Sequence, residues 1–396
     1  MTSKMKILIS HNYYQQPGGE DYVFMAESSM LEQHGNQVFR YTVDNDYIKG
    51  MNPLTLALST LWSKTIARDF RELVRKVRPD IIHFHNTFPL ISPSAYYVAR
   101  AEGVPVVQTL HNYRLLCPNA LFFRNGHVCE DCMGKFMPWP GILHACYRES
   151  RMATGVTAAM MSVHGVLNTY SRMVDRYIAL TDFARQKFIQ GGFPAGKIAV
   201  KPNFIDPDPG VGERRGDYAL FVGRLSQEKG IGTLLSAWEK LGGKIPLKIV
   251  GEGPLAPQAA DASRRIPGIA WLGHKPKQSV LDLMKDAAVL IFSSLWYEGF
   301  GLTIVEAYSV GLPVVTSNLG GMSSVIDHGR TGLHFRAGDP NDLAAQVDWI
   351  INHPAERERM SREARGKYET GYTAERNYDM LMDIYEKAMS HIHSGP

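Results

Sequence analysis

Two glutamates separated by seven residues, Glu298 and Glu306, bracket the run Gly299-Phe300-Gly301-Leu302-Thr303. Residues 287–294 ahead of them read as a buried strand ending in two serines, and a helical pattern follows. The glycines let the backbone come close to a ligand, and the amides of Leu302 and Thr303 at a helix start suit a phosphate. Glu306, just over one turn into that helix, is placed to accept hydrogen bonds from two vicinal hydroxyls, as acidic residues do for a ribose. Glu298 would face whatever lies beyond the phosphates. A solvated helix face also supplies such a pair, but the position after a buried strand favours a site.

A second group lies in Phe221-Val222-Gly223-Arg224-Leu225-Ser226-Gln227-Glu228-Lys229-Gly230. A strand ends at Gly223, and two cations, Arg224 and Lys229, follow five residues apart. Fixed cations in a dry cleft stabilise the charge that gathers on a departing diphosphate; surface ion pairing is the competing explanation. In the first half, Pro17-Gly18-Gly19-Glu20 opens a helix and offers amides, though Pro-Gly-Gly is also simply a turn. His111 closes a buried strand, where it would reach a sugar hydroxyl or the leaving group. His83 and His85 alternate on a strand and share one face, which suits packing better than a metal pair without a third ligand.

Cys117, Cys129, Cys132 and Cys146 all fall within thirty residues and include a Cys-x2-Cys. Structural zinc, disulfides and reduced thiols compete there. Asp44-Asn45-Asp46 and Asp206-Pro207-Asp208 match the Asp-x-Asp that holds divalent cations, at a length that chance supplies easily.

The elements that must position these residues are legible as two series of short apolar strands alternating with helical patterns, an α/β arrangement around parallel sheets. Strands are expected at 6–10, 80–85, 104–110 and 176–181, then at 218–223, 247–253, 269–273, 287–294 and 312–317. Helical spacing covers 22–34, 61–77 and 373–391. The proline-rich stretch 201–210 marks a linker. We therefore expect an N-terminal Rossmann-like domain over 1–204 with a cysteine-containing insert at 117–146, a second over 205–372, and a terminal helix over 373–396. Ligands in such sheets lie beyond the carboxyl ends of the strands.

With 44% hydrophobic and 21% charged residues in 396, composition fits a globular protein of two or three domains. Residues 1–204 carry 22 Lys/Arg against 15 Asp/Glu, and the remainder 21 against 24. The basic first half suits an anionic lipid surface or lipid diphosphate, or is an unselective surface; nucleic acid is not expected as partner. The N-terminus lacks a signal-peptide pattern, so a cytoplasmic location, peripheral to the inner face of the plasma membrane, is the expectation. Residues 152–171 are uncharged, yet their Gly, Ser, Thr, His and Asn content argues against spanning a bilayer and for burial or an interfacial helix.

The order and spacing of Gly18-Gly19, His111, Arg224 with Lys229, Gly251-Glu252-Gly253 and Glu298 to Glu306 resemble the family 4 retaining glycosyltransferases of the GT-B fold. The resemblance spans nearly the whole chain. It implies two Rossmann-like domains facing across a cleft, with the last helix crossing back to the first. By it Glu306 would bind the donor ribose, Glu298 the sugar hydroxyls, and Arg224 and Lys229 the diphosphate. Gly223, Gly251 and the Gly299–Thr303 loop would line the donor, Gly273-His274-Lys275 would approach the base, and His111 would lie near the sugar. The implied reaction is metal-independent transfer from a nucleotide sugar, UDP- or GDP-linked, to a saccharide or lipid-linked saccharide in polysaccharide biosynthesis. It needs no cofactor and no protein nucleophile. The competing readings are an epimerase or hydrolase of related fold and a non-catalytic nucleotide-sugar sensor; a phosphorylase would need a pyridoxal-phosphate lysine that is not evident.

Overall fold

The computed structural model describes residues 4–15, 18–212 and 216–393, the side chains of 391–393 excepted; Pro17 of the predicted glycine loop lies outside the described residues. The chain divides into two units. The first comprises Met1–Phe122, Glu130–Pro202 and Asn377–Pro396, and the second Phe123–Cys129 and Asn203–Arg376.

In the first unit, β1 (Lys6–Tyr13), β2 (Gln37–Asp44), β3 (Ile81–Asn86) and β4 (Val106–Leu110) are followed by a two-stranded hairpin that groups with the second unit, β5 (Phe123–Arg124) and β6 (His127–Val128). The series ends with β7 (Arg176–Ala179) and β8 (Ile198–Val200). The six sheet strands run parallel in the order β2-β1-β3-β4-β7-β8. Strand order reverses between β1 and β3, which opens a crevice at their carboxyl ends. Every residue of β3 is buried, so its alternation sends His83 and His85 to one face and Ile82 and Phe84 to the other. The Gly19–Gln33 helix covers the sheet with Val23, Phe24, Glu27, Met30 and Leu31, a helical stripe with one carboxylate in its middle.

The second unit contains β9 (Ala219–Val222), β10 (Leu247–Val250), β11 (Ile269–Trp271), β12 (Val289–Phe292), β13 (Val314–Ser317) and β14 (Gly332–Phe335). These form a parallel sheet in the order β11-β10-β9-β12-β13-β14, reversing between β9 and β12. Both faces are packed. Phe221, Ile249 and Ile291 join a core around Trp238, while Leu220, Val250, Leu290 and Phe292 join another around Tyr308. Each such side chain contributes roughly 1.5–3 kcal/mol by leaving water.

The final helix, Ala374–His393, begins at the end of the second unit and docks on the first. It buries Leu381, Ile384, Tyr385 and Ala388. Tyr378 stacks on His34 at 3.7 Å between ring centroids and accepts a hydrogen bond from Asn36 Nδ2 at 3.2 Å.

Candidate active site

The crevice between β9 and β12 in the second unit collects one group of predicted residues. The loops after these strands are laced by backbone bonds: the Leu295 amide donates to the Glu228 carbonyl at 2.8 Å, and Ser293 Oγ to the Lys229 carbonyl at 3.0 Å. Gly230, at φ 71°, lies so close to the Ser293 carbonyl that a Cβ would collide with it. This lacing brings Lys229 to Glu298. Lys229 Nζ donates to Glu298 Oε1 at 2.6 Å, and the same oxygen accepts from Ser294 Oγ at 2.6 Å and Trp296 Nε1 at 2.8 Å. Three donors thus fix Oε1, while Oε2 takes none from the described residues. The ammonium also lies over the Trp296 and Phe292 rings, 5.5 and 5.7 Å from their centroids. Sequence reasoning missed Ser294 and Trp296 because neither has a signal apart from its place after β12.

Gly301 caps the Leu302–Ser309 helix. Its amide points at Met322 Sδ, 3.0 Å away, and the Leu302 amide donates to the Phe300 carbonyl at 3.2 Å, so the Leu302 N–H expected to be bare is engaged. Glu306 lies one turn inside, 3.9 Å from Lys277 Nζ. Burial raises its carboxyl above the usual range against the pull of Lys277. It has no hydrogen-bond partner among the described residues, which suits a carboxylate that receives ligand hydroxyls.

Beside this pair, the loops after β9, β10 and β11 are stacked edge to edge. The Gly251 amide donates to the Gly273 carbonyl at 2.9 Å, Gly223 to Val250 at 3.0 Å, and Leu225 to Glu252 at 2.8 Å. Gly251, at φ 138°, faces the Gly223 carbonyl with no room for a Cβ. Arg224 and His274 are exposed and Lys275 half-buried. Of the two cations assigned to a diphosphate, Lys229 is half-buried against Glu298 and Arg224 is solvent-exposed.

The first unit holds the other group. Gly18 caps its helix, but its amide donates to Asp21 Oδ2 at 2.7 Å, and Glu20 and Asp21 fill the first turn. The amides expected to be bare are thus shadowed by two carboxylates, one of which, Asp21, also holds His11 Nε2 at 2.7 Å. Glu20 accepts from Asn112 Nδ2 at 2.7 Å and Tyr14 Oη at 3.0 Å, and burial raises its carboxyl.

His111, directly after β4, is 8% exposed. Its Nε2 lies 2.9 Å from His85 Nδ1, and His85 Nε2 lies 3.1 Å from Glu27 Oε1. His83 Nδ1 is 3.1 Å from the same oxygen and 2.8 Å from Tyr385 Oη, and its Nε2 is 2.8 Å from Thr109 Oγ1. Glu27, His83 and His85 therefore supply the third ligand-type group that β3 alone lacks. Lys201 Nζ, however, sits 2.9 Å from Glu27 Oε2 and 2.8 Å from Asn377 Oδ1. A buried ammonium already neutralises the carboxylate, so the trio is an ion-pair network rather than a cation site. Burial would raise Glu27, but Lys201 and the two histidines outweigh it and hold it well below the usual range. Glu27 is detectable in sequence as a charge in an apolar helical stripe, whereas Lys201 sits in the proline-rich stretch that reads as linker.

The Asp-x-Asp candidates are otherwise engaged. Asp44 caps a short helix through the Asp46 amide at 2.7 Å, and Asp208 receives both Arg365 Nη2 at 2.6 Å and Nη1 at 2.8 Å. In the cysteine insert, Gly141 packs against Cys132 Sγ and the Pro118 ring, and its carbonyl accepts from the Cys146 amide at 3.0 Å. Turns carrying three of the cysteines thus converge on one glycine.

Residues 211–367 match the family described as Glycosyl transferases group 1, and residues 23–209 match Glycosyltransferase Family 4. The chain belongs to the family 4 glycosyltransferases. Each matched region of this family 4 chain contains one polar constellation, Glu27 to Lys201 in the first and Lys229 to Glu306 in the second. Its relatives include a glycogen synthase of Mycobacterium tuberculosis, 28% identical over 303 residues, 74% of this chain and 64% of that protein, so the chain spans just under two thirds of the relative's length. The D-rhamnosyltransferase WbpZ of Pseudomonas aeruginosa is 32% identical over 161 residues, 40% of this chain and 42% of its own. Among solved structures, Anabaena HepE in complex with UDP superposes with a TM-score of 0.68 at 18% identity, over 96% of this chain and 100% of that one, which supports the GT-B fold.

Proposed function

We propose that this family 4 chain is a retaining, metal-independent glycosyltransferase that moves a sugar from a UDP- or GDP-sugar to a hydroxyl of a saccharide or lipid-linked saccharide. The observation that carries the reading is the Lys229–Glu298 pair at the strand-order reversal of the second unit, with Glu306 one helix turn beyond it. Lys229 stabilises the charge that develops on the departing diphosphate. Oε2 of Glu298, without a donor among the described residues, accepts sugar hydroxyls, and half-buried Glu306 accepts bonds from the ribose. Because Lys229 supplies positive charge and both Asp-x-Asp segments are committed to a cap and to Arg365, no divalent cation enters the scheme. The UDP bound in HepE and the glycogen synthase relative support a nucleotide-sugar donor.

His111 and the basic first unit belong to the acceptor side in this reading. A cavity of about 620 Å³ in the first unit, lined in part by Leu54, Ala57, Pro89, Met152 and Val156, suits an apolar acceptor tail. Exposed Leu58, Val163 and Val166 suit peripheral contact with an anionic membrane from the cytoplasmic side; among the described residues no helix is long and apolar enough to cross a membrane. Zinc held by the converging cysteines would be structural, and metal analysis of the purified protein tests it.

The central test is incubation with UDP-, GDP- and ADP-sugars, with and without chelator, followed by NMR of the released sugar. Chelator-resistant release with retained anomeric configuration supports the proposal. An altered nucleotide sugar would indicate an epimerase, and neither release nor a thermal shift with any donor would indicate a different role.

A further inference from the structure

The buried chain Lys201–Glu27–His85–His111 has a direction, which follows from counting protons. Glu27 faces an ammonium at 2.9 Å, so its carboxylate is ionised and can only accept hydrogen bonds. His85 Nε2, 3.1 Å from that carboxylate, must then carry a proton. Between His85 Nδ1 and His111 Nε2, 2.9 Å apart, there is room for a single proton. His85 is 2% exposed, with Lys201 and His83 on other sides of the same carboxylate, and a second buried cation there would be costly. Burial above all, with the neighbouring His83, pushes the His85 imidazole down to about 3. Neutral His85 protonated at Nε2 leaves Nδ1 as a lone pair, so the shared proton belongs to His111 Nε2. His111 Nδ1, which has no hydrogen-bond partner among the described residues, is left as an acceptor.

We infer that Glu27 is a positioning residue that acts through His85 to hold neutral His111 in its Nε2–H tautomer and so present Nδ1 to a hydrogen-bond-donating substrate hydroxyl. The inference rests on the proposed transferase reading for the identity of that hydroxyl, but the tautomer does not depend on it. Lys201 keeps Glu27 ionised, and Asn377 holds Lys201 through Oδ1 while donating from Nδ2 to the Pro202 carbonyl at 2.6 Å. Two of the four passages of the chain between the units, after Pro202 and before Asn377, are thereby tied to the network that sets the His111 proton.

Long-range ¹H–¹⁵N NMR of the full chain labelled at histidine, with His111→Gln for assignment, reads the tautomer directly and needs no activity. A neutral Nε2–H His111 at pH 7 is expected; an Nδ1–H tautomer or an imidazolium would overturn the inference. Glu27→Leu with Lys201→Met removes acceptor and cation together in similar volume, which avoids stranding a charge. It should release the tautomer and lower kcat by about 10–100-fold with donor KM changed less than about twofold. Glu27→Gln with Lys201→Met keeps a neutral acceptor and should restore the Nε2–H form and most of kcat. An unchanged His111 tautomer in the folded leucine variant, or lost kcat with the tautomer intact, refutes the positioning role. Wild-type NMR as expected but no sugar transfer with any donor would sink the transferase reading and leave the tautomer assignment standing.

Discussion

At the scale of single residues, the two glutamates separated by seven positions do different work because their surroundings differ. Glu298 has one oxygen fixed by three donors, whereas half-buried Glu306 has no hydrogen-bond partner among the described residues. In the proposed reading Glu306 binds the donor ribose, so Glu306→Ala should weaken nucleoside diphosphate binding by about 10–100-fold in calorimetry. Lys229→Ala should instead lower kcat by about 10²–10³ with a smaller change in nucleotide affinity, since it acts on developing charge. Equal, small effects would contradict the assignment. These residues could be picked out from sequence because glycines and a strand end flag them. Lys201 could not, since the proline-rich segment around it offers no periodicity, and its burial depends on Glu27, 174 residues earlier.

At the scale of elements, every interior strand of the two six-stranded sheets declares itself, and of their four edges only β11 does. The strands β1, β3, β4 and β7 of the first sheet, and β9 to β13 of the second, were all expected, because burial on both faces demands short apolar runs. The missed strands β2, β8 and β14 are all edges of their sheets. β2 alternates exposed and half-covered residues, a pattern that a search for apolar runs passes over. The loops are read less well than the strands, because backbone lacing such as Gly251 to Gly273 is invisible in one dimension. Gly251→Ala puts a Cβ against the Gly223 carbonyl at a φ of 138°. We expect about 1–3 kcal/mol of destabilisation from backbone strain, more if the loops separate, measured as a lower denaturant midpoint together with weaker donor binding. A midpoint equal to wild type would show that the stacked loops leave room for a Cβ at this position.

For the whole molecule, the buried histidines make acid the natural denaturant. His85 is held at about 3 against 6.5 when unfolded, so between those values the unfolded chain binds one more proton than the folded. Stability should fall as pH drops below 6.5, by about 1.4 kcal/mol per pH unit for that proton. His111 shifts in the same direction, chiefly through burial. Glu27 adds its loss below its unfolded value of 4.5, as pH falls toward its depressed folded one. Melting curves of His85→Gln should show a shallower decline between pH 7 and pH 5 than wild type; parallel curves would mean His85 is not buried neutral. Removing the chain beyond Tyr372 should cost the first unit far more than the second, since Asn377 and Tyr385 complete its polar network; a calorimetric trace in which the first unit's transition is unmoved would contradict this. The same helix also bears on how the protein is made. Tyr385 follows its partner His83 by 302 residues. At about 5–20 residues per second, translation separates them by roughly 15–60 s. Over that interval a nascent first unit lacks Tyr385 as the partner of His83, and this contact forms only after the second unit has been synthesised.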